Sequence, residues 1–490
     1  MDRSKPACFL GILCVVCTTA QSPATHAIAA RITANALRAD VSFLASDALE
    51  GRGTPSRGLD IAAEYIAAEF RRAGLEPAGD EAYFQNAAYE QVTPGAEPIE
   101  LAIETARGPV RADGQSVIQW SGGAVSLAPA PCYMADLAGG AAAAQLKAEE
   151  VRGKVVIVKN PGFGSAMAAA MELSQRLAPA LVVILREAAP GRIARPRLRE
   201  AGATGAPILV VWDSAFRAAL ADAKTGPVDA TVSAHVAASS AEPVKLRNVV
   251  GVLRGTSPTL RGTYILLTAH YDHLGIRGTG DGDHIFNGAN DDASGSASVN
   301  EIAGALASLT PRPSRSIVFM ALFGEELGEL GSRYYVRHPI VLLARSVADI
   351  NLEQLGRTDD RHGARVGQFN LTGFDFTDLA SYFRKAGAQT GIRVVKDAQN
   401  SDPYFNRSDN AAFAVAGVPS TTVSVAYDYP DYHGAGDEWP KLDYDNMARV
   451  DRTLALALYD MATASQPPAW NRANPKTAAY VAARAGGGSR

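Results

Sequence analysis

Histidine and carboxylate side chains recur in this sequence where apolar, strand-like segments end. His270 and Asp272 follow the apolar run 264–269, and Asp291 closes the Gly- and Asp-rich loop that comes next. Later apolar segments end in the same way, at Glu325, Glu326, Glu353 and His433. Imidazole nitrogen and carboxylate oxygen are the ligands of catalytic zinc, which keeps one position open for water. The pattern therefore predicts a metal centre.

Two local spacings within this set indicate that its residues have different chemical roles. His270 and Asp272 are two residues apart on a predicted strand, so their side chains point to one face. This suits a carboxylate that orients a metal-binding histidine. The adjacent Glu325 and Glu326 cannot easily aim both carboxylates at one metal ion. One can bind the metal, while the other is left to move a proton of the attacking water.

The elements that must position these residues are apolar segments alternating with helical patterns. Strands are predicted at 244–253, 264–269, 315–323, 347–352 and 421–426, and an amphipathic helix at 444–464 closes the series. This alternation predicts an α/β fold, with a mostly parallel mixed sheet and helices on both faces. In such sheets ligands bind at the carboxyl ends of the strands, where the candidate residues lie.

The chain divides by composition into five parts. Residues 31–90 and 244–465 are predicted to form the main α/β domain, its N-terminal and catalytic parts respectively. Residues 91–243, which carry short strands and no cluster of histidines with carboxylates, read as an inserted β-rich domain. Residues 466–490 end in Gly-Gly-Gly-Ser-Arg and are predicted to be a flexible tail.

Residues 1–20 have the pattern of a secretory signal peptide, with Ala29 as an alternative cleavage point. Basic residues precede an apolar run of about ten residues, which is too short to span a bilayer. Val16 before Cys17 argues against a lipid anchor. Of the four cysteines only Cys132 lies outside this region, so no internal disulfide is expected. The protein is predicted to be secreted or periplasmic.

The charge balance of the chain favours no macromolecular partner. The net charge of −4 gives no electrostatic attraction for nucleic acid or for an anionic membrane. No membrane span and no stable protein partner are predicted.

The five motifs together resemble the co-catalytic di-zinc exopeptidase family of bacterial leucyl aminopeptidases, aminopeptidase Y and glutamate carboxypeptidase. The matching segments are Ala269–Asp272, Gly288–Gly295, Glu325–Gly328, Asn351–Arg357 and Asp431–His433. Their order and spacing both agree. The inserted segment is similar to the protease-associated domain that some members carry.

The resemblance implies a role for each matching residue. Asp291 would bridge two zinc ions, His270 and Glu353 would complete one site, and Glu326 and His433 the other. Glu325 would be the general base and later the acid. Asp272 would support His270, and Tyr432 is a candidate donor to the oxyanion. Glu353 departs from the commonest family text, which has Asp there.

Several alternatives remain open on sequence alone. The leading interpretation is a zinc-dependent aminopeptidase acting on peptide substrates; a carboxypeptidase or a mono-zinc aminoacyl cyclase on the same fold is the enzymatic alternative. A non-catalytic receptor would be expected to have lost ligands, and none is lost. A calcium loop at 281–292 lacks the EF-hand pattern. His273 and His284 are predicted to be exposed loop residues.

Overall fold

The computed structural model describes residues 23–137, 146–159, 163–189, 197–202 and 205–486. Its helices are α1 (Pro23–Arg31), α2 (Ala34–Leu44), α3 (Arg57–Ala73), α4 (Ala148–Val151), α5 (Phe163–Arg176), α6 (Ser214–Ala219), α7 (Ser294–Ala307), α8 (Leu330–Arg337), α9 (Leu379–Thr390), α10 (Asn410–Val415), α11 (Tyr444–Thr463) and α12 (Ala478–Gly486). Its strands are β1 (Glu76–Pro77), β2 (Phe84–Thr93), β3 (Glu100–Thr105), β4 (Gly108–Arg111), β5 (Val117–Ser121), β6 (Val125–Asp136), β7 (Val155–Lys159), β8 (Leu181–Leu185), β9 (Leu198–Glu200), β10 (Ile208–Val211), β11 (Gly226–Val236), β12 (Ser240–Leu253), β13 (Tyr264–His270), β14 (Gly275–Ile276), β15 (Ile285–Phe286), β16 (Ser316–Leu322), β17 (Ser346–Leu352), β18 (Asp359–Asp360), β19 (Gly363–Ala364), β20 (Gln368–Leu371), β21 (Arg393–Val395) and β22 (Ser420–Ser424).

The larger sheet is mixed, which confirms the predicted α/β class. Its strands lie in the order β21-β20-β22-β17-β13-β16-β12-β2-β9, with β1 paired to β12. Four central strands are parallel: β13 pairs with β16 on one side and with β17 on the other, and β17 pairs with β22. The pairs β12–β16 and β20–β22, which flank this group, are antiparallel. The carboxyl ends of the four central strands therefore meet at one edge.

Helices cover both faces of this sheet because its central strands are apolar on both sides. In β13, Ile265 and Leu267 face one core and Leu266 faces the other, as the two-residue period of a strand requires. The first core also contains α1, α2, α3, α7 and α11, and the second contains residues of α8 and α10. A continuous apolar strand is the signature of such two-sided burial.

A second sheet has eight strands in the order β4-β3-β11-β6-β7-β8-β10-β5. These strands lie between Glu100 and Val236, and alternate residues of β7 face two separate cores. The chain leaves the larger sheet after β2 and rejoins it at β12, where Thr93 lies opposite Ser240, and β9 between them pairs with β2 at the edge of that sheet. The outer residues of the predicted insert 91–243 thus belong to strands of the larger sheet.

Replacing residues 94–239 by an Asn-Gly turn should leave a folded protein that still binds zinc. Thr93 and Ser240 are opposite each other in an antiparallel pair, so a two-residue turn can join them. We expect comparable turnover of a single-residue chromogenic substrate and altered selectivity among longer peptides. Steady-state kinetics on both substrate types measure this. Loss of turnover on the small substrate, with zinc and fold retained, would show that the removed segment supplies a catalytic group.

The prediction of a flexible tail is wrong for residues 466–486. Trp470 is 7% exposed and packs with Phe405, Tyr480 and other apolar side chains. Its indole nitrogen donates a hydrogen bond of 3.0 Å to the carbonyl of Gly417, and Arg484 donates to two backbone carbonyls near β17. Aromatic residues at irregular spacing carry no periodic signal, so this docking was not visible in the sequence.

A buried carboxyl group lies between α2, α3 and α7. Asp40 is 3% exposed, and it accepts hydrogen bonds from the Tyr65 hydroxyl at 2.8 Å and from Asn300 at 3.3 Å. Burial raises the pKa of Asp40 to about 7, although both hydrogen bonds oppose the shift. In the unfolded chain Asp40 ionises near its ordinary pKa. Between about pH 4 and pH 7 the unfolded chain therefore binds fewer protons than the folded chain. Stability therefore falls as pH rises through this window.

Asp40→Asn should reduce this pH dependence, because an amide does not ionise. The variant is expected to lose less stability than the wild type between pH 4 and pH 7, by on the order of 3 kcal/mol. Denaturant unfolding at several pH values measures the difference. Asp281→Asn, at an exposed loop position of the catalytic part, is the control and should follow the wild-type profile. If the stability of Asp40→Asn changed with pH as much as that of the wild type, Asp40 would not be the source of this pH dependence.

Among the described residues no helix combines the length and the apolar character needed to cross a membrane.

Candidate metal centre

The candidate residues converge at the edge where the central strands end. His270 ends β13, Asp291 lies in an irregular turn before α7, Glu325 and Glu326 follow β16, Glu353 follows β17, and His433 lies in the loop after β22. Strand β13 pairs in parallel with both β16 and β17, so the carboxyl ends of these three strands lie side by side. The topology thus brings together residues separated by more than 160 positions in the chain.

Asp291 lies between two groups of donor atoms, one facing each of its carboxylate oxygens. Oδ1 is 3.3 Å from Nε2 of His270, and that nitrogen is 3.9 Å from Oε1 of Glu353. Oδ2 is 3.1 Å from Nε2 of His433, and that nitrogen is 3.2 Å from Oε1 of Glu326. All five residues expected as ligands are therefore neighbours, in two sets that share Asp291.

The donor set fits zinc in type and in environment. Every member is an imidazole or a carboxylate, the combination that zinc prefers. Asp291 Oδ2 is buried and makes no hydrogen bond within the described part of the chain. Buried polar atoms are nearly always satisfied, so an unsatisfied one within a group of donors indicates a missing partner. A cation bound among these donors would be the missing partner of Asp291 Oδ2.

The local pKa shifts reflect a concentration of carboxylates in a buried place. Burial raises the pKa of Glu353 to about 7 and that of Glu325 well above its usual range. Burial acts in the same direction on Glu326, but its contacts with the two neighbouring histidines, His273 and His433, outweigh it and lower that pKa to about 2. In His433 the nearby carboxylates overcome burial and raise the pKa to about 10. So much buried negative charge favours binding of cations.

Asp272 contacts both a candidate ligand and the candidate base. Its Oδ1 is 3.5 Å from Nδ1 of His270 and accepts a hydrogen bond of 3.1 Å from the backbone nitrogen of Glu325. The Nδ1 atom also lies 3.1 Å from the backbone oxygen of Asp272. Thr54 donates to Asp272 Oδ2 at 3.1 Å. A histidine held at Nδ1 presents Nε2 to the metal position.

His273 is a functional candidate that sequence reasoning missed. The prediction of an exposed loop residue is wrong, because His273 is only 2% exposed and its Nδ1 lies 2.9 Å from Glu326 Oε1. The Gly- and Asp-rich loop after it suggested exposure, but the His273 backbone nitrogen donates to the Arg52 carbonyl and its ring packs on Gly288. Its one sequence signal was its position three residues after His270. His284, by contrast, is half-buried and its ring contacts the Gly280 carbonyl.

Arg52 holds this loop in place from the N-terminal part of the chain. Its buried guanidinium donates to the carbonyls of Tyr271, Asn287 and Gly288 at 2.7–2.9 Å, and also to the carbonyl of Leu44. Burial lowers the pKa of Arg52 to about 10, so it remains charged at neutral pH. A single buried cation thus joins both ends of the loop that carries the candidate ligands. Nothing in the local sequence distinguishes Arg52 from a surface arginine.

Asp437 positions Asp291 through the backbone. Its carboxylate accepts hydrogen bonds from the backbone nitrogens of Asn290 and Asp291 at 3.0–3.1 Å and from the Tyr429 hydroxyl at 2.9 Å. Burial raises the pKa of Asp437 to about 6. The loop that contains His433 and the turn that contains Asp291 are therefore connected directly.

Glu353 has a local partner that accommodates its longer side chain. Its Oε1 accepts a hydrogen bond from the hydroxyl of Ser408, whose oxygen accepts in turn from Asn351 at 2.7 Å. Beside Glu353 is a cavity of about 180 Å³ that is also lined by Tyr404, Arg407, Ser408, Tyr427, Asp428 and Tyr432. This volume is smaller than that of a typical drug-sized pocket. It suits one side chain rather than a longer segment of peptide.

Tyr432 lies at the mouth of the site. Its ring stacks on His433 with centroids 4.0 Å apart, and the residue is 37% exposed. Burial of the hydroxyl and the nearby carboxylates raise its pKa, so the phenol keeps its proton and can donate. The geometry therefore permits the predicted hydrogen-bond donor role.

Comparison with known proteins agrees with this geometry. The model of peptidase family M28 matches residues 248–458, which include every candidate ligand. A "probable zinc metalloprotease" of Pyricularia oryzae is 36% identical over 291 residues, which are 50% of this chain and 55% of that protein. Leupeptin-inactivating enzyme 1 of Streptomyces exfoliatus is 28% identical over 153 residues, which are 31% of this chain and 32% of that enzyme. The matches thus span about half, or less, of these relatives.

The fold also has a solved counterpart. An aminopeptidase from Aneurinibacillus sp. strain AM-1 superposes with a TM-score of 0.54 at 19% identity, over 89% of this chain and 95% of that one. The fold is therefore that of a solved aminopeptidase, and the histidine–carboxylate cluster lies within the segment that matches the family model. Residues 248–458 match the model of peptidase family M28, which confirms the resemblance to the co-catalytic zinc exopeptidases.

Proposed function

We propose that the protein is a di-zinc aminopeptidase that removes the first residue of peptides. One observation carries this proposal: the two oxygens of Asp291 face separate donor sets, at 3.3 Å from His270 and 3.1 Å from His433. A carboxylate placed in this way can bridge two ions. His270 and Glu353 would complete one position, and Glu326 and His433 the other.

The residues of the chain then have distinct tasks. Zinc, when bound, polarises the peptide carbonyl and lowers the pKa of the attacking water. Glu325 accepts a proton from this water and later donates one to the departing amine nitrogen. Asp272 holds His270 in orientation, and the Tyr432 hydroxyl donates a hydrogen bond to the developing oxyanion.

The cavity beside Glu353 supports an exopeptidase acting at the amino end. It is small, it is bounded by three tyrosines, and Glu353 and Asp428 line it. A carboxylate beside a one-residue pocket can recognise the ammonium group of a free N-terminus through a charge-assisted hydrogen bond. The amine and the side chain of the first residue would then be bound together.

Arg407, which lines the same cavity, favours a second candidate function. Its guanidinium lies 4.3 Å from the centre of the Tyr404 ring, and a guanidinium there could bind a terminal carboxylate instead. This arrangement would make the enzyme a carboxypeptidase. A mono-zinc cyclase would use only one of the two donor sets around Asp291.

Cleavage of aminoacyl-nitroanilides, compared with their N-acetylated forms and with N-blocked dipeptides, separates these functions. An aminopeptidase cleaves only the first group, while a carboxypeptidase cleaves the blocked dipeptides. Arg407→Ala provides a second comparison. In an aminopeptidase it should leave aminoacyl-nitroanilide turnover nearly unchanged, whereas in a carboxypeptidase it should greatly reduce cleavage of N-blocked dipeptides. Cleavage of blocked dipeptides alone would overturn the proposal.

We further propose that the protein acts outside the cytoplasm. The predicted signal peptide at 1–20 lies outside the described residues, but Ile28 in α1 is buried in the main core. Cleavage near Ala20 leaves this helix intact, whereas cleavage at Ala29 would remove its packing. N-terminal sequencing of protein from culture medium or periplasm tests this. The second sheet, as a protease-associated type of insert, would limit which peptides reach the cleft.

A further inference from the structure

His273 is buried beside the candidate metal centre with no hydrogen bond to either ring nitrogen in the described part of the chain. Its backbone nitrogen donates to the carbonyl of Arg52 at 3.2 Å, which fixes the main chain. The ring packs on Gly288, where φ is +58° and a Cβ would lie 2.4 Å from the His273 ring. Glycine is therefore required opposite this histidine, and the ring is held in one place.

The ring is directed at one of the two donor sets. Nδ1 of His273 lies 2.9 Å from Glu326 Oε1 and 3.9 Å from Asp291 Oδ2. The same two oxygens are 3.2 Å and 3.1 Å from Nε2 of His433. His273 Nδ1 and His433 Nε2 thus face the same two carboxylate oxygens, and the two imidazole rings meet edge to face with centroids 5.7 Å apart.

The separations between the histidine nitrogens and the carboxylate oxygens are close to those of tetrahedral coordination, and the ligand atoms of His273, Asp291 and Glu326 all lie within 4.8 Å of one another. Ligand atoms about 2.0–2.1 Å from a tetrahedral zinc ion lie about 3.4 Å from one another. The four measured separations fall on both sides of this value. A buried histidine with a purely structural role would be expected to satisfy its ring nitrogens through hydrogen bonds. His273 does not, even though an oxygen lies 2.9 Å away.

We propose that His273 is a fourth protein ligand, through Nδ1, of the zinc ion held by Asp291, Glu326 and His433. This inference rests on the proposed di-zinc function and extends it. Four protein ligands close a zinc site, whereas three leave a position open. The two zinc positions therefore differ: the His273 position binds more tightly, and the position of His270, Asp291 and Glu353 is the one that stays open to water and exchanges first.

Zinc titration of the metal-free protein against a chromophoric chelator tests the inference without using activity. The wild type should bind two zinc ions with distinct dissociation constants. His273→Ala should weaken the tighter of the two by at least about 100-fold, more than the 10–100-fold loss typical of residues that only support a ligand. His284→Ala, which changes a half-buried histidine in the same loop, is the control and should retain both constants.

A crystal structure of the zinc-loaded wild type keeps the test independent of how the variant folds. The Nδ1–zinc distance should be about 2.0–2.1 Å. A zinc ion bound by Asp291, Glu326 and His433 but more than about 3 Å from Nδ1 would overturn this inference and leave the proposed function standing. A folded His273→Ala protein with both zinc dissociation constants unaltered would also overturn this inference and leave the proposed function standing. A wild type that binds no second zinc would overturn the di-zinc function, and this inference with it.

Discussion

Glu325→Gln should lower kcat by roughly 10²–10⁴-fold, the usual size of the effect of a lost general base. Glutamine keeps the shape of the side chain but cannot accept the proton of the attacking water. The backbone nitrogen of Glu325 is hydrogen-bonded to Asp272 whichever side chain is present, so the turn should keep its geometry. Zinc content and melting temperature should stay near the wild-type values. Substrate affinity should change much less than kcat, because the loss falls in the transition state.

The two adjacent glutamates should behave differently in this experiment. Glu326→Gln replaces a residue whose carboxylate contacts both His273 and His433, so it should lose zinc and stability together. Glu329→Gln changes a nearby carboxylate that pairs with Arg333, and it is the control for altering charge in this turn. A Glu325→Gln protein without zinc, or one with near wild-type turnover, would refute the assignment of Glu325 as the base.

Removal of zinc should abolish turnover and lower the melting temperature of the catalytic part. A ligand that binds only the folded state stabilises it by about 4 kcal/mol when present at 1,000 times its dissociation constant. The buried carboxylates around Asp291 repel one another without a cation, which adds to the loss. Elemental analysis after gentle dialysis should approach two zinc ions per chain, and calorimetry with and without chelator measures the shift.

Asp291→Ala provides the matched variant for this experiment. It removes the carboxylate shared by both donor sets, so chelator should change its melting temperature far less than that of the wild type. The second sheet contains none of the candidate ligands, and any separate transition of that unit should stay unchanged. A wild type with the same melting temperature in excess chelator as in excess zinc would contradict the coupling of metal binding to folding.

The sequence alone was sufficient to predict the α/β fold, and it selected five candidate ligands that the fold brings together. His270, Glu326 and Glu353 lie at or just after the ends of strands, whereas Asp291 lies in the turn before α7 and His433 in the loop after β22. The local pattern of apolar segments predicts the strands and the edge of the sheet where they end. The register of β13 with β16 and β17 then brings the ligands together. The pairing of Asp272 with His270 could also be predicted, because residues two apart on a strand share a face.

Other features depended on contacts between distant parts of the chain, and only the tertiary structure decided them. His273 lies in a loop whose two ends are held by Arg52, more than 200 positions earlier in the chain. Trp470 packs because Phe405 and Tyr480 meet it, and Asp437 reaches Asp291 from the far end of the catalytic part. Local composition predicts whether a segment is a strand, a helix or a loop. It does not predict what covers a loop, and burial, which turns His273 from a surface residue into a candidate ligand, depends on that cover.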